Sequence, residues 1–267
     1  MVKKILTAFL ILLLLLSVIY IDLIIYGVRQ GIGQVRVINN SIPIPAYLEK
    51  SGIPDSIRYK LLLIEDIKTF AAEKMGVIPS ENYTTYFDQK GKPILWNVSA
   101  AEPFKLVAYE WTFPFLGSFS YKGYFSYELA KKEEALLGSS GLDTRVREVG
   151  GWSTLGWFND PVLSGMLSRT EGDLAEVIIH ELVHGTLYVK DSIDFNENLA
   201  TFLGRKGAEI YLIDKYGGSS ELLRNYLQNE RDFQGDSLHN TFCRQGCTAR
   251  KICTYYYCLN HPSPLQP

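Results

Sequence analysis

The chemistry of this chain concentrates in one short run, Ile179-His180-Glu181-Leu182-Val183-His184-Gly185. Residues four apart on a helix project from one face, so His180 and His184 can bring two imidazole nitrogens to one metal ion. Glu181 follows the first histidine and points beside such an ion. Zinc lowers the pKa of a water in its shell towards about 7, and a neighbouring carboxylate can take the proton. The chain holds only four histidines and seventeen glutamates in 267 residues, so chance scarcely produces this pattern. The bland reading is a helix that carries two unrelated histidines.

A third ligand is available in Glu197, with twelve residues between it and His184. A turn near 189–193 followed by a helix from about Phe195 would run that helix back antiparallel, because a short connection makes two helices neighbours. Glu197 then faces the histidine pair, and Ala200 and Gly204 allow the backbones to approach closely. The competing role for Glu197 is to cap its own helix together with Asp194.

The first helix needs a start and an inward face. Thr170 supplies an N-cap with Asp173 three places on, a variant of the capping box. Leu174, Val177, Ile178 and Leu182 form the apolar stripe. Upstream, apolar spacing predicts a helix over 57–75 and β-formers predict strands at 94–98 and 104–109. A second helix is expected over 126–137, ended by Gly138, then a strand pair over 144–158 around Gly150-Gly151. The body therefore reads as α+β, a small β layer followed by helices.

Composition narrows the class. Hydrophobic residues are 46% and charged residues 21%, which excludes disorder as the main state. A net charge of -2 with no basic excess argues against nucleic acid as a partner. No fixed-period repeat is present.

The N-terminal segment stands apart. Lys3 and Lys4 precede residues 5–21, which carry no charge and would span roughly 25 Å as a helix, close to a bilayer's hydrocarbon core. A cleaved signal peptide and a buried core helix are the other readings. No Ala-x-Ala site follows Ala8 and no cysteine is placed to take a lipid, so an uncleaved transmembrane anchor is expected. The flanking basic residues, Lys3 and Lys4 against Arg29 and Arg36, are nearly balanced. Lysines so near the start favour an N-terminus in the cytoplasm. The expected divisions are 1–26 as signal anchor, 27–56 as linker, 57–234 as the metal-carrying domain and 235–267 as a cysteine-containing tail.

His-Glu-x-x-His followed by Asn-Glu-x-x-Ala on a second helix resembles the gluzincin metallopeptidases, although the spacing here is shorter than in thermolysin. More closely, the chain resembles the bacterial putative aminopeptidase family. That likeness rests on His180-Glu181-Leu182-Val183-His184, Thr186-Leu187-Tyr188-Val189-Lys190 and Phe195-Asn196-Glu197. Upstream it extends to Tyr121-Lys122-Gly123-Tyr124-Phe125 and to the stretch from Ser153 through Asn159-Asp160-Pro161. It covers roughly residues 26–233.

The resemblance implies a zinc-dependent peptidase with Zn2+ on His180, His184 and Glu197 and with Glu181 as general base. Together with the N-terminal segment read above, the expected fold is α+β, a transmembrane helix followed by a gluzincin-like domain with a small β-sheet and a helical part carrying the zinc site. The expected partners are a peptide substrate and, through the N-terminal helix, the membrane. The expected location is the bacterial inner membrane, single-pass, with the catalytic domain outside the cytoplasm. The competing function is a catalytically inactive, membrane-anchored interaction protein on a peptidase fold, against which the intact Glu181 speaks. Neither exo- nor endopeptidase action nor the oligomeric state follows from the residues.

Two departures from the family accompany this. Members commonly begin with a lipoprotein signal and its cysteine, which this chain lacks. After about Gly235 the family pattern is lost and Cys243, Cys247, Cys253 and Cys258 appear in a chain that has no earlier cysteine. Disulfides, a small zinc site and out-of-frame sequence are the three readings of that tail.

Around the site, Tyr188 and Tyr211 are candidate oxyanion donors, with plain packing as the alternative. Thr201 is a candidate hydrogen-bond partner for a ligating histidine. Residues 153–158 are a candidate edge strand for an extended peptide, or else a core strand. Glu148 and Asp160 are candidates by position for holding a substrate ammonium. His239 and His261 receive no role.

Overall fold

The computed structural model describes residues 2–105, 107–114, 117–149, 159–190 and 192–243. By contacts the chain divides into two units, residues 1–40 and 41–267.

The first unit is helical. Helix α1 is Val2–Ile19 and α2 is Ile21–Asn39. The two meet at Tyr20, whose N–H donates to the Leu16 carbonyl at 2.9 Å and whose carbonyl accepts from Ile24 at 2.9 Å. The expected transmembrane helix is corrected here: among the described residues, no helix is long and apolar enough to cross a membrane. The cause is length. Lys3 and Lys4 occupy the first turn of α1, so its uncharged part is residues 5–19, only about 22 Å at a helical rise against a hydrocarbon core of about 30 Å. The uncharged run continues past Tyr20, but into α2, which bears Asp22, Arg29 and Arg36.

The second unit opens with β1 (Ile42–Pro43), α3 (Ile44–Leu48) and the long α4 (Asp55–Met75). Helix α4 buries Leu61, Ile64, Ile67 and Ala71, one stripe at helical spacing. It stops at Gly76, whose φ of 70° is the left-handed conformation that glycine adopts without a Cβ penalty. There follow β2 (Thr85–Phe87), β3 (Trp96–Ala101), β4 (Trp111–Phe113), β5 (Gly117–Phe119) and β6 (Tyr121–Tyr124). Helix α5 (Tyr127–Ser139) comes next, its N-cap Ser126 accepting from the Leu129 N–H. It runs through Gly138 rather than ending there. Then come β7 (Asp143–Glu148), β8 (Val162–Leu163) and a 3-10 turn, Ser164–Ser168. Three helices close the described chain: α6 (Glu171–Thr186), α7 (Ile193–Tyr216) and α8 (Glu221–Cys243).

The strands form small separate sheets. In one, β2 pairs antiparallel with β1 and parallel with β8, with Tyr86 opposite both Ile42 and Val162. In another, β3 lies between antiparallel β6 and β7, with α5 against β3 and β7. Strands β4 and β5 make a two-stranded ribbon. The strand expected at 104–109 does not form. Phe104 takes a φ of 61° and the chain folds back, leaving one isolated bridge between Ala101 and Ala108. The expected pair over 144–158 is described only up to Val149, and residues 150–158 lie outside the described set.

The helices make the core beside the sheets. Ile178, Ile179, Leu174 and Leu212 are fully buried where α6, α7 and α4 meet. Helix α4 is also pinned by polar contacts. The Tyr59 hydroxyl donates to Glu171 Oε1 at 3.0 Å, and the Tyr211 hydroxyl donates to Asp66 Oδ2 at 2.6 Å. Helix α8 latches on through Tyr226, whose hydroxyl donates to Glu176 Oε2 at 2.6 Å. Arg205 on α7 bridges Glu176 at 3.3 Å and Glu230 at 2.9 Å. The described part of the tail is the end of α8, which includes Cys243; the other three cysteines lie outside the described residues.

Candidate metal centre

Helix α6 starts as its sequence dictates. Thr170 is extended, and its hydroxyl accepts from the Asp173 N–H at 3.2 Å. That start sets the rotation of the helix, so the apolar stripe faces the core and carries the first turn of the histidine motif inward. His180 is 9% exposed. Helix α7 returns antiparallel after a short connection, as the contacts of residues 197, 204 and 216 with residues 184, 176 and 171 require.

The close approach has a specific cause. A Cβ on Gly204 would lie 2.9 Å from the Glu176 carbonyl oxygen and 3.2 Å from His180 Cβ. Both neighbours are backbone or near-backbone atoms that cannot step aside. Ala200 and Ala208, on the same face, are fully buried. Gly204→Ala is therefore expected to force the helices apart, at a cost of about 1–3 kcal/mol. Thermal unfolding checks this: a melting temperature several degrees lower is expected, and an unchanged one would mean the helix pair has room to spare.

The result is a triangle of residues, in which each Glu197 oxygen faces a different histidine. His180 Nε2 and His184 Nε2 are 3.2 Å apart. Glu197 Oε2 lies 3.5 Å from His180 Nε2, and Glu197 Oε1 lies 3.5 Å from His184 Nε2. Among the described residues this is the group of three that could hold a metal ion. A tetrahedral ion bound by nitrogen and oxygen at about 2.0–2.2 Å has ligand-to-ligand edges of roughly 3.3–3.6 Å. The nitrogen–nitrogen separation and the two nitrogen–oxygen separations are of about that size, and one ligand atom from each residue lies within 4.8 Å of the others, so the residues fit an ion after a small turn of the carboxylate.

The electrostatics agree with the geometry. Burial works to lower the pKa of His180, but the hydrogen bond to Glu197 and the charges of Glu181, Glu197 and Glu176 outweigh it and raise it. Burial and then the charge of His180 lower His184. The bond from His180, against the effect of burial, holds Glu197 below the ordinary carboxylate range. The carboxylates around His180 favour positive charge at that ring, while burial and the charge of His180 favour a neutral His184. His184 Nδ1 is buried with no hydrogen-bond partner among the described residues.

Glu181 lies one residue further round α6 from His180, partly exposed and outside the triangle. A residue that sequence reasoning missed stands near it. Tyr83 is 2% exposed and takes a left-handed φ of 63°, which is uncommon for a bulky side chain. Its N–H donates to the Asp160 carbonyl at 2.6 Å. Burial first, then the charges of Glu181 and Asp160, push its phenol well above the ordinary range and keep it protonated. No signal marks such a tyrosine in the sequence, because left-handed backbone is announced by glycine or asparagine.

The other candidates fall in several places. Tyr211 is not at the triangle: its hydroxyl is bonded to Asp66 and its ring packs edge-on against Phe70 at 5.2 Å. Tyr188 stands half exposed in the connection after α6. Thr201 is on α7, one turn beyond Glu197. Glu148 ends β7 opposite Trp96. Asp160 is buried at 1% beside Tyr83, with its N–H bonded to Asn82 Oδ1 at 3.0 Å.

Compared with known families, the model of the family described as "Putative aminopeptidase" matches residues 25–244, most of the chain. No curated protein matches, and no solved structure matches.

Proposed function

The chain belongs to the putative aminopeptidase family, and from that premise we propose that it is a zinc-dependent peptidase of the gluzincin kind, acting on peptides with a free N-terminus. One observation carries the reading: two imidazole nitrogens 3.2 Å apart, each 3.5 Å from a different oxygen of the Glu197 carboxylate, on two antiparallel helices, with a second carboxylate on the residue after His180. His180, His184 and Glu197 would hold the ion. Zinc bound there supplies Lewis acidity to a scissile carbonyl and acidifies a water towards a pKa of about 7.

The chain's own groups do the rest. Glu181 accepts a proton at its carboxylate as water adds to the carbonyl carbon. The same carboxylic acid returns that proton to the amide nitrogen as the C–N bond breaks, so Glu181 ends unprotonated and ready for another cycle. Glu197 is counted among the ligands and not as the base, since its two oxygens face His180 Nε2 and His184 Nε2. Burial of the histidine rings keeps water from competing for their nitrogens.

Metal analysis of the purified full chain, followed by assay on matched peptides with free and acetylated N-termini, tests this. About one zinc per chain is expected, with hydrolysis of the free peptides lost on chelation and restored by zinc. Equal cleavage of the acetylated set would reassign the chain as an endopeptidase. A zinc-loaded chain that cleaves neither set would overturn the peptidase reading.

A further inference from the structure

We propose that Asn196 is a positioning residue for the metal centre: its carboxamide pins the connection between α6 and α7 and thereby sets Glu197 against His180 and His184. This rests on the metal reading above.

Asn196 is 2% exposed. Its Oδ1 accepts from the Val189 N–H at 2.8 Å, and its Nδ2 donates to the Val189 carbonyl at 2.8 Å. Val189 offers one donor and one acceptor, so only one orientation of the amide satisfies both. The side chain thus pairs with Val189 as a neighbouring strand would. Aspartate could accept but not donate, and serine could not reach both atoms.

The location gives this contact its consequence. Val189 lies five residues after His184, and Asn196 immediately precedes Glu197. One side chain therefore ties the exit of the helix bearing two ligands to the entry of the helix bearing the third. Glu197 is only the fifth residue of α7, where helices fray. The N-cap Ser192 gives that end no side-chain hydrogen bond, so the usual restraint on a helix start is missing. The Asn196–Val189 pair supplies it from within the first turn. Without it, the first turn of α7 is free to swing and Glu197 loses its register with the buried histidine pair.

Zinc affinity, measured on the full chain by competition with a chelator, tests the proposal with no recourse to activity. Asn196→Ala is expected to weaken zinc binding by about 10–100-fold, the range seen when partners that orient ligands are removed. Asn196→Asp keeps the bond from the Val189 N–H and loses the other, so it should fall between the parent and Asn196→Ala. Val189→Ala leaves both backbone atoms in place and should bind as the parent does. The visible spectrum of the cobalt-loaded chain supplies a reading that a loop staple without influence on the metal would not move: Asn196→Ala at saturating cobalt should show altered intensity. If Asn196→Ala does not fold, Asn196→Asp decides by the same measurements. Variants that bind zinc within threefold of a zinc-binding parent, with an unchanged cobalt spectrum, would overturn the positioning role and leave the metal reading intact. Equal loss in Val189→Ala would overturn it too. A parent that takes up no metal would overturn both.

Discussion

Replacing Glu181 with glutamine is expected to lower peptide hydrolysis by roughly a hundredfold or more while leaving zinc content unchanged. The amide has the carboxylate's shape but cannot accept a proton at neutral pH. Glu181 lies outside the ligand triangle of His180, His184 and Glu197, so the substitution removes proton transfer and spares coordination. Measuring both quantities on one preparation separates the possibilities. Hydrolysis near the parent level with zinc bound would mean that Glu181 is not the base. Loss of zinc as well would make it a ligand or a support for one.

His180→Ala should have the largest effect on the metal itself, a loss of affinity of more than about a hundredfold, beyond that of partners that only orient ligands. His180 is the candidate ligand most firmly held in place. It is buried and packed against the site of Gly204. Removing it leaves one imidazole and one carboxylate, too few to compete with water for zinc. Stoichiometric zinc in a folded His180→Ala chain would show that the ion sits elsewhere. Helix content by circular dichroism guards against reading an unfolded variant as a metal-free one.

The metal helices were legible because each signal in them is local. Thr170 and Asp173 mark a start, an apolar stripe sets the buried face, and a short connection makes neighbours of α6 and α7. Gly204 was readable as a place of close approach for the same reason, since a missing side chain between two apolar turns has few other uses. What failed was long-range or conformational. Residues 104–109 have the composition of a strand, yet Phe104 turns left-handed and leaves Ala108 a single bridge. Tyr83 meets Asp160 because β2 lies beside β8, a pairing across 76 positions that no local pattern encodes. The N-terminal expectation failed on length, because the count of uncharged residues ran across Tyr20 and ignored where one helix ends and the next begins.

The connection between α6 and α7 has a consequence for the order in which the molecule assembles. All three ligand residues lie between positions 180 and 197, whereas the contacts that fasten α4 beside them join residues 112 and 145 apart. Loop closure costs about 0.6 kcal/mol more for each doubling of the loop, so the ligand hairpin closes at roughly 2 kcal/mol less entropic cost than the fastening contacts. During refolding, the two imidazoles and the carboxylate should therefore meet early, while Asp66 and Tyr211 are still apart. A chain refolded with zinc present should gain its α6–α7 protection against hydrogen exchange before it gains that of α4.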